Sequence, residues 1–271
     1  MKALITGASS GIGRDMARVL SEWGYDLILV ARDRERLQEL KKELKTNVQI
    51  VLTDLSDEKK VKELYVLTQN ENIDLLINNA GFGDFGDYRE TNLPKELDMI
   101  NVNVKAVHIL TKTFLKYFES HDGGQIINVA SIAGLLPGGP LMSTYYATKS
   151  YVTSFTLSIY EELRRNNSNV KISVVCPGPV ATNFDNVAGV KFSLRQLSSE
   201  YVARYSLERA IKKNKLIIIP GFTNKLLNFF KRFIGTKLML KMTYKSQKRK
   251  RWSFFFYVNK VSNIRHANWI K

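Results

Sequence analysis

Short, nearly continuous apolar runs alternate along the chain with stretches whose apolar residues recur every three or four positions. The runs are 2–6, 26–30, 48–53, 73–78, 125–130, 171–176 and 216–219, rich in Val, Ile and Leu. Strands covered on both faces of a parallel sheet read that way, because no face is left for polar residues. Between them a helical period predicts helices over 14–22, 33–44, 58–69, 97–118 and 143–164. Regular alternation implies right-handed crossovers, hence an α/β fold: a doubly wound, mostly parallel sheet of seven strands with helices on both faces. Ligands in such sheets bind beyond the carboxyl ends of the strands, at the topological switch point. Gly7, Ala31, Asp54, Asn79, Ser131 and Pro177 all fall at those ends.

Composition narrows the picture. The 271 residues, 44% hydrophobic, suffice for one α/β domain with a substantial core. No Pro/Gly/Ser-rich linker divides them, and residues 1–220 read as one nucleotide-binding and catalytic domain. The single Cys176 rules out an intrachain disulfide and fits a reducing, cytoplasmic setting. Ala3-Leu4-Ile5 already reads as strand with no cleavage pattern, so no secretory leader is expected. No run of apolar residues is long enough for a spanning helix. The net charge of +16 is unevenly placed. Residues 1–211 carry 25 basic and 25 acidic side chains, whereas 212–271 carry 16 basic and none acidic.

The first strand runs into Thr6-Gly7-Ala8-Ser9-Ser10-Gly11-Ile12-Gly13, followed by a helix. Glycine lets backbone approach a pyrophosphate, and a helix N-terminus offers free N–H groups. Gly7, Ser9, Ser10, Gly11, Ile12 and Gly13 are therefore candidate cofactor contacts, although a tight strand-to-helix turn would also use these glycines. The second strand ends Ala31-Arg32, where an acidic residue would bind a ribose diol. An Arg at that place can grip a 2′-phosphate with two hydrogen bonds, so NADP(H) is preferred, with NAD(H) left open. Arg34 and Arg36 read as solvated helix face. Asp54, with Leu55 beside it, could accept from an adenine amino group or cap the next helix. Asn79-Ala80-Gly81 closes the fourth strand with room for a cofactor ribose, or with ordinary turn chemistry.

Tyr145 and Lys149 stand four residues apart, one helical turn, and Tyr145 follows Ser131 by 14 positions. A phenol at its ordinary pKa of about 10 is a poor acid or base at neutral pH, and a neighbouring ammonium favours the phenolate. Ser131 would hold a substrate carbonyl while hydride reaches its carbon and Tyr145 protonates its oxygen. His108, His121 and His266 are scattered and no Cys/His cluster exists, so no metal site is expected.

As a set, Thr6-Gly7-x-x-x-Gly11-x-Gly13, Asn78-Asn79-Ala80-Gly81, Asn103 within Asn-Val-Asn-Val, Ser131, Tyr145-x-x-x-Lys149 and Pro177-Gly178-x-x-x-Thr182 resemble the short-chain dehydrogenase/reductase family over roughly residues 1–220. The resemblance implies a Rossmann-type sheet and a catalytic group of Asn103, Ser131, Tyr145 and Lys149. It also implies a proton relay through Asn103 and Lys149, with Lys149 holding the nicotinamide ribose. Pro177, Gly178, Val180 and Thr182 would flank the nicotinamide end. It implies a homo-oligomer through the helices at 97–118 and 143–164. Two features depart from the family pattern: the Ser131-to-Tyr145 spacing is one residue longer, and Ser10 replaces the basic residue that many NADP-preferring members carry.

The segment 183–214 is expected to cover the substrate, and Phe184, Val187, Val190, Phe192 and Leu194 favour a lipophilic one, 3-ketoacyl, steroid-like or another ketone. Residues 221–271 form a basic extension. Leu226, Leu227, Phe230, Phe233 and Ile234 recur at helical spacing with Lys231 and Arg232 opposite, and Lys248-Arg249-Lys250-Arg251 precedes Trp252 and Phe254-Phe255-Phe256-Tyr257. Such a segment suits an anionic membrane surface, or packing on its own domain or a second subunit. Nucleic acid is disfavoured, since no recognition motif is present. The leading expectation is an oxidoreductase acting on a small-molecule carbonyl or alcohol. Its rival is a non-catalytic dinucleotide-binding scaffold acting through the basic extension.

Overall fold

The computed structural model describes residues 1–182, 184–189 and 196–248. Val190, Phe192 and Leu194 of the expected cover, and the basic and aromatic run from Arg249 to Tyr257, lie outside the described residues.

In chain order the elements are β1 (Lys2–Thr6), α1 (Gly11–Glu22), β2 (Asp26–Ala31), α2 (Arg34–Glu43), β3 (Val48–Leu52), α3 (Glu58–Thr68) and β4 (Leu75–Asn78). They continue with α4 (Leu93–Ile100), α5 (Val107–Ser120), β5 (Gly124–Val129), α6 (Ser143–Arg165) and β6 (Val170–Val175). Then come β7 (Val180–Ala181), α7 (Phe184–Ala188), β8 (Leu197–Ser198), α8 (Ser199–Leu207), β9 (Ile217–Ile218) and α9 (Phe222–Phe230). A last helix, α10, spans 236–248.

Seven strands form one sheet in the order β3-β2-β1-β4-β5-β6-β9. Every pairing in it is parallel. The order reverses between β1 and β4, the switch point of a Rossmann-type sheet. The strand period of two divides the core cleanly. Ala3, Ile5, Leu27 and Leu29 pack with Met16, Leu20, Leu37 and Leu207 on one face. Leu4, Ile28 and Val30 pack with Leu64, Leu110, Phe114, Phe118 and Ile159 on the other. Each of these fully buried large side chains contributes about 1.5–3 kcal/mol, so a register slip would lose both layers together.

Two of the elements that differ from expectation do so for a visible physical reason. β4 starts at Leu75, two residues late, because the Ile73 N–H donates to the Tyr117 hydroxyl at 3.2 Å rather than to the ladder. The single helix expected at 97–118 begins earlier, at Leu93, with Asn92 capping the Lys95 N–H at 2.9 Å. It also passes through a π-helical turn, Asn101–Ala106, before α5. An inserted residue in a helix marks a position where ordinary packing has been overruled.

The beginning of the basic extension folds back onto the sheet domain. Met239, Thr243 and Gln247, spaced by one helical turn, are the buried side of α10. Gln247 Nε2 donates to the Tyr146 hydroxyl at 3.0 Å. Lys231, expected opposite the apolar stripe of the extension, donates through Nζ to the Leu135 carbonyl. Helix α9 ends at Phe230 in a short 3₁₀ turn, and Ile234 is extended rather than helical. Among the described residues no helix is long and apolar enough to cross a membrane.

Candidate active site

The carboxyl ends of β1, β2, β4 and β5 open into one cavity of ≈ 800 Å³. That volume falls in the range of small-molecule sites.

At one end the loop after β1 is tied to the end of β4. Thr6 Oγ1 accepts from the N–H groups of Asn79 and Ala80 at 3.0 and 3.1 Å. Asn79 Nδ2 donates to the carbonyls of Thr6 and Gly7 at 3.0 and 3.2 Å. The loop can sit this close only because it lacks side chains. A Cβ on Gly13 would lie 2.4 Å from both Asn79 Nδ2 and the Gly7 carbonyl oxygen. Gly7 also has φ +67°, in the left-handed region. Ser10 stands at the N-cap of α1 without a side-chain cap bond, so its hydroxyl offers the first-turn N–H groups no acceptor. A bare backbone cradle at a free helix start fits a pyrophosphate.

Gly7, Ser9, Ser10, Gly11 and Ile12 line this end, with Arg32, Asp54 and Leu55 beside them. Arg32 is 75% exposed and lies 4.0 Å from Asp54. Burial raises the Asp54 carboxyl, but hydrogen bonds from the Ser56 N–H and hydroxyl, with the Arg32 charge, hold it below the ordinary range. The capping role belongs to Asp57, which accepts from Lys59 and Lys60 N–H; Asp54 is not the cap. Arg36 pairs with Asp33 at 3.3 Å and also lines the cavity, so it is not merely solvated helix face.

At the other end, Ser131 follows β5 and caps a 3₁₀ turn by accepting from the Ala133 N–H at 3.1 Å, while its hydroxyl donates to the Pro177 carbonyl at 3.3 Å. Tyr145 and Lys149 sit one turn apart on α6 and line the same cavity. Lys149 is buried, and its Nζ donates to the Val129 carbonyl at 2.9 Å. Burial pulls this ammonium down to about 8. Burial likewise pushes the Tyr145 phenol up to about 12, and a hydrogen bond between Tyr145 and Ser131 opposes the shift. The expected lowering of the phenol by Lys149 does not set its pKa here: burial fixes the direction, and Ser131 is the group that opposes it.

Ala80, Gly81, Asn79, Pro177, Gly178, Val180 and Thr182 line the cavity between these ends. Two expected site residues stand behind its wall. Gly13 packs under the loop, and Asn103 lies fully buried on the π-helical turn. Asn103 Nδ2 donates to the Phe82 carbonyl at 2.9 Å and to Thr148 at 3.1 Å, and its Oδ1 accepts from the Phe82 N–H. A Cβ on Gly81 would come within 2.9 Å of Asn103 Oδ1 and 3.2 Å of Lys149 Nζ, so glycine there keeps the three together. Cys176 is buried with its thiol pushed up to about 12 by burial, and behaves as a core residue. Among the described residues no His/Cys/Asp/Glu group could hold a metal.

The structure adds wall residues that sequence reasoning passed over. Phe82, Leu136 and Met142 come from loops, Tyr146 from α6, Leu227 from α9, and Met239, Met242 and Gln247 from α10. Only the four-residue spacing of Met239, Thr243 and Gln247 could have signalled a buried face there, and those residue types announce no chemistry.

The family model for short chain dehydrogenase matches residues 1–189. The NADP-dependent 3-hydroxy acid dehydrogenase YdfG of Escherichia coli K12 is 34% identical over 193 residues, covering 69% of this chain and 76% of that protein. A short-chain dehydrogenase from Sphingobium yanoikuyae in complex with NADPH aligns at TM-score 0.76 and 27% identity, over 86% of this chain and 94% of that one. A short-chain dehydrogenase/reductase from Burkholderia phymatum in complex with NAD aligns at TM-score 0.76 and 27% identity, over the same shares, 86% and 94%. With the fold, the glycine cradle and the Ser131, Tyr145 and Lys149 group in place, these likenesses make the chain an oxidoreductase of the short-chain dehydrogenase/reductase family.

Proposed function

We propose that this oxidoreductase interconverts a lipophilic ketone and its alcohol with NADP(H), using Tyr145 as general acid and base. The observation that carries the reading is that a half-buried phenol and a buried hydroxyl and ammonium share one cavity with the bare glycine cradle. A bound nicotinamide would supply or accept the hydride. This chain's own residues would do the rest. Ser131 would donate to the substrate oxygen and fix the carbonyl. Tyr145 would deliver a proton to that oxygen in reduction and remove it in oxidation. The Lys149 ammonium would stabilise the phenolate left behind, which a site this dry otherwise disfavours. Asn103 would act as a positioning residue, bracing the Phe82 backbone and the α6 turn through Thr148.

Cofactor choice rests on Arg32, an exposed cation just past the end of β2, where Ala31 stands in place of an acidic residue that would bind a ribose diol. Arg36, at the same rim, is a second cation for a 2′-phosphate. The E. coli relative is NADP-dependent and the Sphingobium structure holds NADPH, whereas the Burkholderia structure holds NAD. Leu136, Met142, Phe184, Leu227 and Met239 give the substrate end an apolar wall, which supports a lipophilic ketone. The reading includes a homo-oligomer through α5 and α6, where the exposed Tyr151 stacks on Phe155 at 5.5 Å; molar mass in solution checks it.

The test is consumption of NADPH, with NADH in parallel, against a panel of 3-ketoacyl thioesters, steroid ketones and small diketones. Turnover that favours NADPH is expected. Measured NADPH binding with no turnover across the panel would instead favour the dinucleotide-binding scaffold.

A further inference from the structure

The basic extension has two faces with opposite fates. The inner face of α9 and α10 closes the cavity: Asn224, Leu227, Met239 and Thr243 all line it. The outer face leaves its large apolar side chains exposed among the described residues. Helix α9 has no buried residue at all. Phe222 and Phe233 are 77% and 73% exposed, and Leu226, Phe229 and Phe230 stand out between them. Their spacing of three and four residues makes one stripe, and the rings of Phe229 and Phe233 lie 5.7 Å apart. The stripe reaches the mouth of the cavity, because Leu227 and Met242 are both exposed and cavity-lining.

We propose that this stripe docks on an anionic lipid surface and seats the mouth of the cavity against it. Monomeric proteins rarely leave so many large apolar side chains together in water. Lys225, Arg232, Lys237, Lys241 and Lys245 are exposed around the stripe, and no residue from 212 to 271 is acidic. Aromatic and aliphatic side chains beside uncompensated cations suit an interface of acyl chains under anionic headgroups. A second copy of the chain fits less well, since pairing this face with itself would oppose like charges with no carboxylate on either side. Nucleic acid would use the cations but leave Leu226, Leu227, Leu238 and Met242 without a role. Lipid docking stands whether or not the chain reduces ketones. Delivery of a lipophilic ketone from the bilayer into the cavity rests on the catalytic reading.

Removing the whole extension would open the cavity, so point substitutions make the test. The full chain is sedimented with vesicles of phosphatidylcholine alone and of phosphatidylcholine with phosphatidylglycerol. It is expected to follow the anionic vesicles and to be released by salt. The triple change Phe229→Ser, Phe230→Ser, Phe233→Ser lowers that partitioning by more than about ten-fold. The pair Arg232→Glu, Lys237→Glu lowers it by a similar factor, about ten-fold or more, on anionic vesicles. None of these five residues lines the cavity, so unchanged unfolding temperature and unchanged turnover of a short soluble ketone show that the fold is intact. If unmodified protein stays in the supernatant with both vesicles, or the triple-serine protein sediments as well as the original, the proposal is wrong. A drop in molar mass of the triple-serine protein without vesicle binding would assign the stripe to a second copy. Retention on nucleic acid without vesicle binding would assign the cations elsewhere.

Discussion

Replacing Lys149 by Met is expected to make the protein more stable and less active at once. The ammonium is held in a dry wall, and burial pulls its pKa from 10.5 to about 8. At about 1.4 kcal/mol per pH unit, keeping it charged near neutral pH costs the fold about 3 kcal/mol. Methionine of similar length carries no such cost. Losing the Nζ bond to the Val129 carbonyl offsets about 1 kcal/mol of the gain. The net is about 2 kcal/mol in favour of the variant, or about 4–8 °C in Tm for a chain of this size. The sign has a definite pH window. A lysine with a lowered folded pKa destabilises the fold while both states are charged. Between about 8 and 10.5 the folded state has released the proton and the unfolded state has not, so the original protein gains stability as pH rises. The advantage of Lys149→Met should therefore be full near neutral pH and fade through that window. Chemical denaturation of both proteins across the window measures it. A variant that is no more stable near neutral pH, or a gap that does not change with pH, would refute the burial argument. Turnover should fall sharply in the same variant, because the phenolate of Tyr145 then loses the ammonium proposed to stabilise it.

Other substitutions separate chemistry from binding. Tyr145→Phe should lower turnover by about 10²–10⁴-fold while dinucleotide binding, read by fluorescence titration, persists; full turnover would remove Tyr145 from the mechanism. Arg32→Ala should raise KM for NADPH by about ten-fold or more and leave KM for NADH unchanged, because only a 2′-phosphate would lose a charge-assisted pair. Gly13→Ala must push its Cβ away from a backbone oxygen 2.4 Å distant, so it should cost about 1–3 kcal/mol in stability and weaken dinucleotide binding. Unchanged binding there would show that the loop is free to relax.

The sheet was readable from the sequence because its strands are buried on both faces and their apolar runs have no other explanation. Tyr145, Lys149, Ser131 and the glycine loop were readable because rare chemistry recurs at fixed spacing. What escaped depends on partners far away in the chain. The π-helical turn at Asn101–Ala106 leaves no mark in the apolar period of 93–120. The choice of Asp57 over Asp54 as cap depends on where α3 begins, which two acidic residues three positions apart do not decide. Lys231 was placed opposite the apolar stripe, and nothing in its local sequence shows that its Nζ donates to the Leu135 carbonyl. The direction of the Tyr145 shift depends on burial, and burial depends on α7 and the extension closing over α6.

That last dependence links the extension to the chemistry. Tyr146 is also raised by burial, and the one group opposing that shift is Gln247 on α10. Phe184 of α7 packs its ring 5.3 Å from that of Tyr145. The groups proposed to move a proton stand on α6 and at the end of β5, rigid elements fixed by the sheet. Beside them α7, α9 and α10 line the open side of the cavity, and α9 carries no buried residue. A cover of that kind can be displaced or reseated without disturbing the sheet. A lipid surface against the outer side of α9 would therefore act on substrate entry and on the dryness of the site, while leaving Ser131, Tyr145 and Lys149 where the sheet holds them.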